Sequence, residues 1–316
     1  MKEKVNTTQV NKLKAIVFAY HALGYQGLKT LVRCGFEISL VFTHADGDEV
    51  IWWPSVSEFC KKNNIKCEID ANLKSASISS MVSGLKPGIF FSFYYRQIIP
   101  IKLLDLAPFG GYNLHGSLLP KYRGRCPVNW QLINGEERSG LTLHKMERNP
   151  DTGPVIHQTE FSVHVDQTAL GLYNQMVEIS QEFLEESIFR ILDENYVSKE
   201  QKGLEATTYG ARSPEDGLID WHWPSRRVHN LVRALTDPYP GAFTYSNLKI
   251  LIWKTTVLEE GSENNNPGTV IAKNIVACSS GSILVLEATD SAGAPYVFSE
   301  GETLSKNLNS VIKSEQ

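Results

Sequence analysis

The sequence predicts an α/β protein in two parts, a parallel sheet with helices on its faces and then a small β-barrel. Three observations predict it. Near the start, an apolar run, a helical pattern and a second apolar run follow one another in the order of a β-α-β unit. From Ala242 onward, short runs of β-forming residues alternate with turn residues. Between these halves, Tyr196 to Thr207 is polar and poor in large apolar residues, the composition of a linker. At 316 residues the chain is long for one core, so one large domain and one smaller one are expected. The boundaries read as a flexible tail over 1–12, a first domain over 13–203, a barrel domain over 204–308 and a second tail over 309–316.

Taken in order, Leu13 to His21 is an apolar run with polar flanks and reads as a buried parallel strand. Leu28, Leu31 and Val32 recur at helical spacing within 24–34, and Phe36 to Phe42 is the next strand. The turn between strand and helix holds Gly24 to Gly27, which lacks the Gly-x-Gly-x-x-Gly fingerprint, so NAD binding is not expected. Ser55 starts a helix as N-cap, with Glu58 completing a capping box. Trp52 and Trp53, just before it, fit a cover for the sheet or the lip of a substrate site. A strand at Lys66 to Ile69, a helix from Ser75 to Leu85 and a buried strand from Gly88 to Phe93 follow. The end of that strand lies about twenty residues before the end of the Tyr112 to His115 strand, room for one helical crossover between parallel neighbours. A helix over 127–135, an alternating strand from Gly140 to Met146, a strand from Val155 to Val165 and an amphipathic helix from Thr168 to Asn195 complete the first part. In the second part, a helix from Pro224 to Leu235 is stopped by Asp237 to Gly241. The β-like runs are Ala242 to Tyr245, Lys249 to Val257, Gly268 to Ala272, Ile275 to Cys278, Ile283 to Ala288 and Tyr296 to Phe298.

Composition excludes several classes. With 42% hydrophobic and 21% charged residues the chain is not a disordered one. A formal charge of -4 with scattered Lys and Arg argues against a dedicated nucleic-acid binder. Cys34, Cys60, Cys67, Cys126 and Cys278 are odd in number and show no Cys-x-x-Cys spacing, which fits free thiols in a reducing compartment. The first twelve residues lack the apolar core of a signal peptide and no run reaches membrane-spanning length, so a cytoplasmic protein without membrane insertion is expected.

The stretch from Asn113 to Pro127 is the one the rest is organised around. Alternation at its start points Asn113 and His115 to one side and Leu114 to the other. Gly116, Pro120, Gly124 and Pro127 then break any regular element and make an ordered loop whose backbone can approach a ligand. Arg123 and Arg125 add donors for a carboxylate or phosphate, or stand as solvated loop charges. An Asn-x-His pair alone fits a hydrogen-bonded structural histidine as well as a catalyst. Competing chemistries lack their parts: Ser117 is not in a Gly-x-Ser-x-Gly elbow, no Walker loop is present, and the eight His are too dispersed for a metal motif.

The run Asn-Leu-His-Gly-Ser-Leu-Leu-Pro-Lys-Tyr-Arg-Gly-Arg-Cys-Pro, with Asp151 following in Asn-Pro-Asp-Thr-Gly, resembles the signature of the N10-formyltetrahydrofolate-dependent formyltransferases. The likeness extends to Ala15 to His21, Phe90 to Arg96, Asp237 to Phe243 and Pro267 to Val270. It is strongest to those members that N-formylate UDP-4-amino-4-deoxy-L-arabinose in the polymyxin-resistance modification of lipid A. The resemblance implies a Rossmann-like catalytic domain of the formyltransferase fold and an OB-like barrel, with N10-formyltetrahydrofolate as co-substrate and a nucleotide-linked amino sugar as partner. It implies Asn113, His115 and Asp151 as catalytic residues, and Gln97, Ile98, Ile99, Arg125 and Glu147, Arg148, Asn149, Pro150 and Asp151 as folate contacts. Those members continue into a decarboxylase domain, so a chain stopping at Gln316 is expected to carry formyl transfer only. Assembly of identical chains stays open.

Formyl transfer to an amine needs donors facing a developing oxyanion and a group that carries a proton from the amine to N10. Asn113 suits the first task and His115 the second, with Asp151 supporting the imidazolium; Asp151 equally suits an Asx turn before Gly153. Acceptors other than UDP-4-amino-4-deoxy-L-arabinose remain, first among them a dTDP-4-amino-4,6-dideoxyhexose of O-antigen synthesis. Methionyl-tRNA formyltransferases share the signature but carry a basic loop after the second strand, where Thr43 to Val50 here is acidic. Formyltetrahydrofolate deformylases, which pass the formyl group to water, carry an extra N-terminal domain. A folate or nucleotide-sugar binder without turnover has no use for a His with an Asp beside it.

Overall fold

The computed structural model describes residues 13–47, 52–193, 195–258 and 265–307. The two tails expected over 1–12 and 309–316, and the acidic end of the Thr43 to Val50 stretch, lie outside the described residues. The chain packs as two compact units. The first takes in residues up to Gly124 with Ser139–Phe161 and Asn174–Thr208, and the second Arg125–Arg138, Ser162–Tyr173 and Tyr209 onward.

In the first unit, β1 (Lys14–Ala19), β2 (Glu37–Thr43), β3 (Cys67–Ile69), β4 (Ile89–Phe93) and β5 (Gly111–His115) join β7 (Arg138–Lys145) and β8 (Val155–Ser162) in one sheet of order β3-β2-β1-β4-β5-β7-β8. The first five strands are parallel, and β7 runs antiparallel to β5; β6 (Arg123–Gly124) and β9 (Thr208–Tyr209) form a separate two-stranded sheet. Chain order reverses between β1 and β4, the place at which open α/β sheets bind ligands beyond the carboxyl ends of their strands. Alternation decides the faces. Ile16, Phe18, Leu40, Phe42 and Phe90 share one buried face, on which Phe18 and its register partner Phe42 stack at 4.9 Å.

Helix α1 (His21–Arg33) begins three residues earlier than the sequence suggests and absorbs Gly24 and Gly27, which are not a turn. Their job is close approach: a Cβ on Gly24 would lie 2.9 Å from the Ala19 carbonyl carbon, and one on Gly27 would lie 2.4 Å from the Phe93 ring. Helix α2 (Val56–Lys62) is capped by Ser55, which accepts the Glu58 N–H, and α3 (Ala76–Leu85) by Ser75. The crossover between β4 and β5 contains one helical turn, α4 (Ile101–Leu104), rather than a full helix. Helix α5 (Pro127–Ile133) follows Cys126, and the long α6 spans Ala169–Leu192. No helix among the described residues is long and apolar enough to cross a membrane.

The stretch from Tyr196 to Thr207 is not a free linker. Lys199 bridges Val155 of β8, and Thr207 accepts the Tyr122 N–H on its hydroxyl at 2.8 Å and the Arg123 N–H on its carbonyl at 2.9 Å. Polar residues here satisfy backbone groups of other loops, a use that composition does not reveal.

In the second unit, α7 (Ser225–Leu235) packs on a five-stranded antiparallel sheet of order β10-β11-β14-β13-β12, formed by β10 (Ala242–Tyr245), β11 (Lys249–Leu258), β12 (Val270–Ala272), β13 (Ile275–Ala277) and β14 (Ser282–Asp290). Residues 302–305 close its edges: Val270 N–H donates to Glu302 and Leu304 N–H to Gly268 on one side, while Tyr245 and Ser305 exchange two bonds on the other. The edges are thereby paired, as in a barrel. Tyr296 to Phe298 is no strand. Pro295 makes a single bridge to Thr289, and the chain then turns so that Phe298 is buried and its N–H meets the Asn274 side chain at 2.8 Å.

Candidate active site

The site is built where β5 ends. Leu114 is buried on one face while Asn113 and His115 point to the other, as alternation requires. The antiparallel register sets Asn113 opposite His144 and His115 opposite Thr142 on β7. His144, which the sequence did not single out, therefore joins the cluster. Its Nδ1–H donates to the Lys145 carbonyl at 2.9 Å, which turns Nε2 toward the Asn113 amide nitrogen, 3.1 Å away. Thr142 fastens the loop after β5: its hydroxyl donates to Ser117 O at 2.6 Å and accepts from Leu119 N–H and Gln158 Nε2.

Asp151 sits at the centre. Its Oδ1 is 3.4 Å from the Asn113 amide nitrogen, 3.4 Å from His144 Nε2 and 3.7 Å from His115 Nδ1, and its Oδ2 accepts the Gly124 N–H at 2.8 Å. The three side chains are nearly closed to solvent, with 7% of His115, 2% of His144 and 11% of Asp151 exposed. Burial works to raise the Asp151 carboxyl, but the His115 charge, the His144 hydrogen bond and charge and the Gly124 N–H outweigh it and hold the group well below the usual carboxylate range. Asp151 is thus an anion at neutral pH. His115 Nε2 lies 2.7 Å from the Tyr122 carbonyl, which can only accept, so Nε2 carries the hydrogen.

Glu147, Arg148, Asn149 and Pro150 form the exposed approach to Asp151, whose own φ is 56°. Gly153 is needed next to it, because a Cβ there would fall 2.0 Å from the Lys145 carbonyl oxygen. After β4, Gln97 and Ile98 are exposed while Ile99 is buried against Phe90 and Leu103. No hydrogen bond joins Gln97 to the Asp151 cluster among the described residues. Arg125 is exposed in the second unit and donates its backbone N–H to Tyr209. Arg123 is not a solvated charge: Nε and Nη2 both donate to Gln201 Oε1, at 3.1 and 2.7 Å.

A second group of side chains lines the carboxyl ends of β1 and β4. His21 stacks on Trp53 at 3.7 Å, Trp52 stands edge-on to both, and the Arg96 guanidinium lies 4.5 Å over the Tyr20 ring. His44 donates Nδ1–H to Asp70 at 2.9 Å and accepts the Arg96 N–H on Nε2 at 3.3 Å. Burial and the nearby Arg96 push the His21 imidazole down to about 4. Trp52 keeps 39% of its surface exposed.

A family model described as formyl transferase matches residues 54–188, and one described as formyl transferase, C-terminal domain, matches 212–300. Among solved structures, the chain is similar to WlaRD, a sugar 3N-formyl transferase in the presence of dTDP and 5-N-formyl-THF, with a TM-score of 0.66 and 21% identity over 86% of this chain and 97% of that one. It is similar to an N-formyltransferase from Helicobacter canadensis in complex with folinic acid and dTDP-3-aminofucose, with a TM-score of 0.68 and 20% identity over 90% and 100% of the two chains. A methionyl-tRNA formyltransferase from Clostridium thermocellum aligns with a TM-score of 0.51 and 17% identity over 77% and 93%. These likenesses bear on the fold.

Proposed function

The chain belongs to the formyl transferase family, and on that premise we propose that it moves the formyl group of N10-formyltetrahydrofolate to the amine of a nucleotide-linked 4-amino sugar. UDP-4-amino-4-deoxy-L-arabinose is the first candidate and a dTDP-4-amino-4,6-dideoxyhexose the second. The observation that carries this reading is the cluster of Asn113, His115 and Asp151 at the end of β5, with His115 buried and the other two half-buried, closely spaced and centred on an ionised carboxylate.

In this reaction the amine nitrogen bonds to the formyl carbon, the carbonyl electrons move to oxygen, and the bond from carbon to N10 then breaks as N10 takes a proton. His115 has committed Nε2–H to Tyr122, so Nδ1 is the ring atom that accepts the proton of the amine and returns it to N10. The resulting imidazolium donates Nε2–H to the Tyr122 carbonyl and is stabilised by the charge of the Asp151 carboxylate, 3.7 Å from Nδ1. The Asn113 amide reaches Asp151 only at 3.4 Å, and that weak bond is the one a developing oxyanion displaces. Gln97, Ile98, Ile99, Arg125 and Glu147 to Pro150 are the residues assigned to the folate.

Support for a nucleotide-linked acceptor comes from the carboxyl ends of β1 and β4. Trp52 offers an exposed stacking face, and Arg96, with no ion pair among the described residues, offers charge for a diphosphate. Two strand spacings, about 10 Å, separate the end of β1 from that of β5, within reach of a sugar and its diphosphate. The dTDP ligands named for two similar structures also support this class.

The test is a panel of UDP- and dTDP-linked amino sugars, including 3-amino sugars, with N10-formyltetrahydrofolate. Gain of one formyl group by the sugar with matching release of tetrahydrofolate is expected. Turnover on charged initiator tRNA and on no amino sugar overturns the reading, as does formate release at full rate without an amine.

A further inference from the structure

The side chain of Gln201 uses its whole hydrogen-bonding capacity on two loops of the first unit. Its Nε2 donates to the Asp151 carbonyl at 3.0 Å and to the Gly153 carbonyl at 2.7 Å, while Oε1 accepts both Arg123 bonds. These loops are the ones that define the surroundings of His115. The 122–124 loop supplies the Tyr122 carbonyl to His115 Nε2 and the Gly124 N–H to Asp151 Oδ2; the 151–153 loop supplies the carboxylate itself. Asp151 is held at a left-handed φ of 56°, a strained conformation for a residue with a Cβ that persists only where neighbours enforce it. Gln201 bonds directly to the carbonyl of that residue.

We propose that Gln201 is a positioning residue of the formyl transfer, one that sets the separation of the Asp151 carboxylate and the His115 imidazole by tying the two loops together. This rests on the reaction proposed above. Nothing in the local sequence marks the residue, since it acts through side-chain to backbone bonds across 48 and 50 positions of chain. Without it, Asp151 can relax out of its left-handed conformation and carry its carboxylate away from Nδ1. A displacement of an ångström in a proton-transfer pair costs up to roughly a hundredfold in rate.

Two variants separate positioning from simple anchoring. Gln201→Glu keeps an oxygen for Arg123 but sets a second oxygen against the Asp151 and Gly153 carbonyls; Gln201→Ala removes both sides of the clamp. Positioning predicts that both lower kcat by roughly tenfold or more while KM for folate and acceptor changes by less than about threefold. It also predicts that the ring nitrogen signals of His115, read by 15N NMR on the free protein, move in both variants. Gln201→Glu with wild-type kcat and wild-type His115 signals overturns the proposal, because Gln201 then serves only Arg123. If Gln201→Ala fails to fold, Gln201→Glu decides alone; if its melting temperature drops while kcat per folded molecule stays wild-type, the proposal also falls. The 15N readout needs no substrate, so a wild-type protein inactive on every acceptor defeats the proposed function and leaves this test standing.

Discussion

His115 gives its Nε2–H to the carbonyl oxygen of Tyr122 at 2.7 Å, which leaves Nδ1 as the ring nitrogen turned toward Asp151, 3.7 Å away. One backbone acceptor therefore sets both the tautomer and the direction of proton exchange. Replacing His115 by Ala, or Asn113 by Ala, is expected to lower kcat by roughly a hundredfold or more while folate affinity changes little, because the lost interactions belong to the transition state. Steady-state kinetics beside equilibrium folate binding check this. A His115→Ala protein that mainly loses thermal stability shows instead that the imidazole serves the fold.

Asp151→Asn keeps the shape of the side chain and removes its charge. The folded carboxyl lies well below its usual value, so its contribution to stability is complete above that value and is lost as the pH falls through the folded one. The melting-temperature gap between wild type and Asp151→Asn is therefore expected to be largest above about pH 5 and to narrow below about pH 4. The pH–rate profile of the variant shifts towards lower pH, since the charge that supports the imidazolium is gone. An unmoved profile contradicts the role given to Asp151.

His21 gives the same sign in a higher pH window. Burial against Trp53 and the neighbouring Arg96 hold its imidazole neutral down to about 4, against a usual value of 6.5. Between those values the unfolded chain binds a proton that the folded chain does not, so stability falls as pH drops through this window. His21→Asn, which tolerates the left-handed φ of 62°, should flatten the slope of melting temperature against pH between about 6.5 and 4. Thermal melts across that range read it directly.

Gly153→Ala tests the seat of the Asp151 loop. A methyl group placed 2.0 Å from the Lys145 carbonyl oxygen forces the loop off β7, at a cost of roughly 1–3 kcal/mol. Activity is expected to fall at least tenfold with the rest of the fold intact, because Asp151 moves with its loop. Far-ultraviolet circular dichroism together with turnover measures both halves of that expectation.

The two-part fold was legible because its signals are local. Apolar runs of strand length, helical spacing at Leu28 and Leu31, and the Ser55 cap each act within a few residues. Asn113 and His115 were assigned to one face by alternation alone, and the structure keeps them there. His144 was hidden although it alternates with Leu141 and Leu143, because its place beside Asn113 depends on a long-range antiparallel register. Gln201 left no pattern at all. Gly24 and Gly27 were misread as a turn because the need for a small residue came from Ala19 and Phe93, outside the local window. Tyr296 to Phe298 has strand-forming residues but follows Pro295, and its backbone bonds go to Ala288 and the Asn274 side chain.

The most direct measurement follows the formyl carbon. N10-formyltetrahydrofolate labelled with 13C at the formyl group is incubated with UDP-4-amino-4-deoxy-L-arabinose and the wild-type protein, and with His115→Ala of matched thermal stability. The account predicts a 13C formamide signal on the sugar, growing in step with tetrahydrofolate, and roughly a hundredfold slower in His115→Ala. Label appearing as formate at the same rate without the sugar, or transfer to the sugar at near-normal rate by His115→Ala, would contradict it.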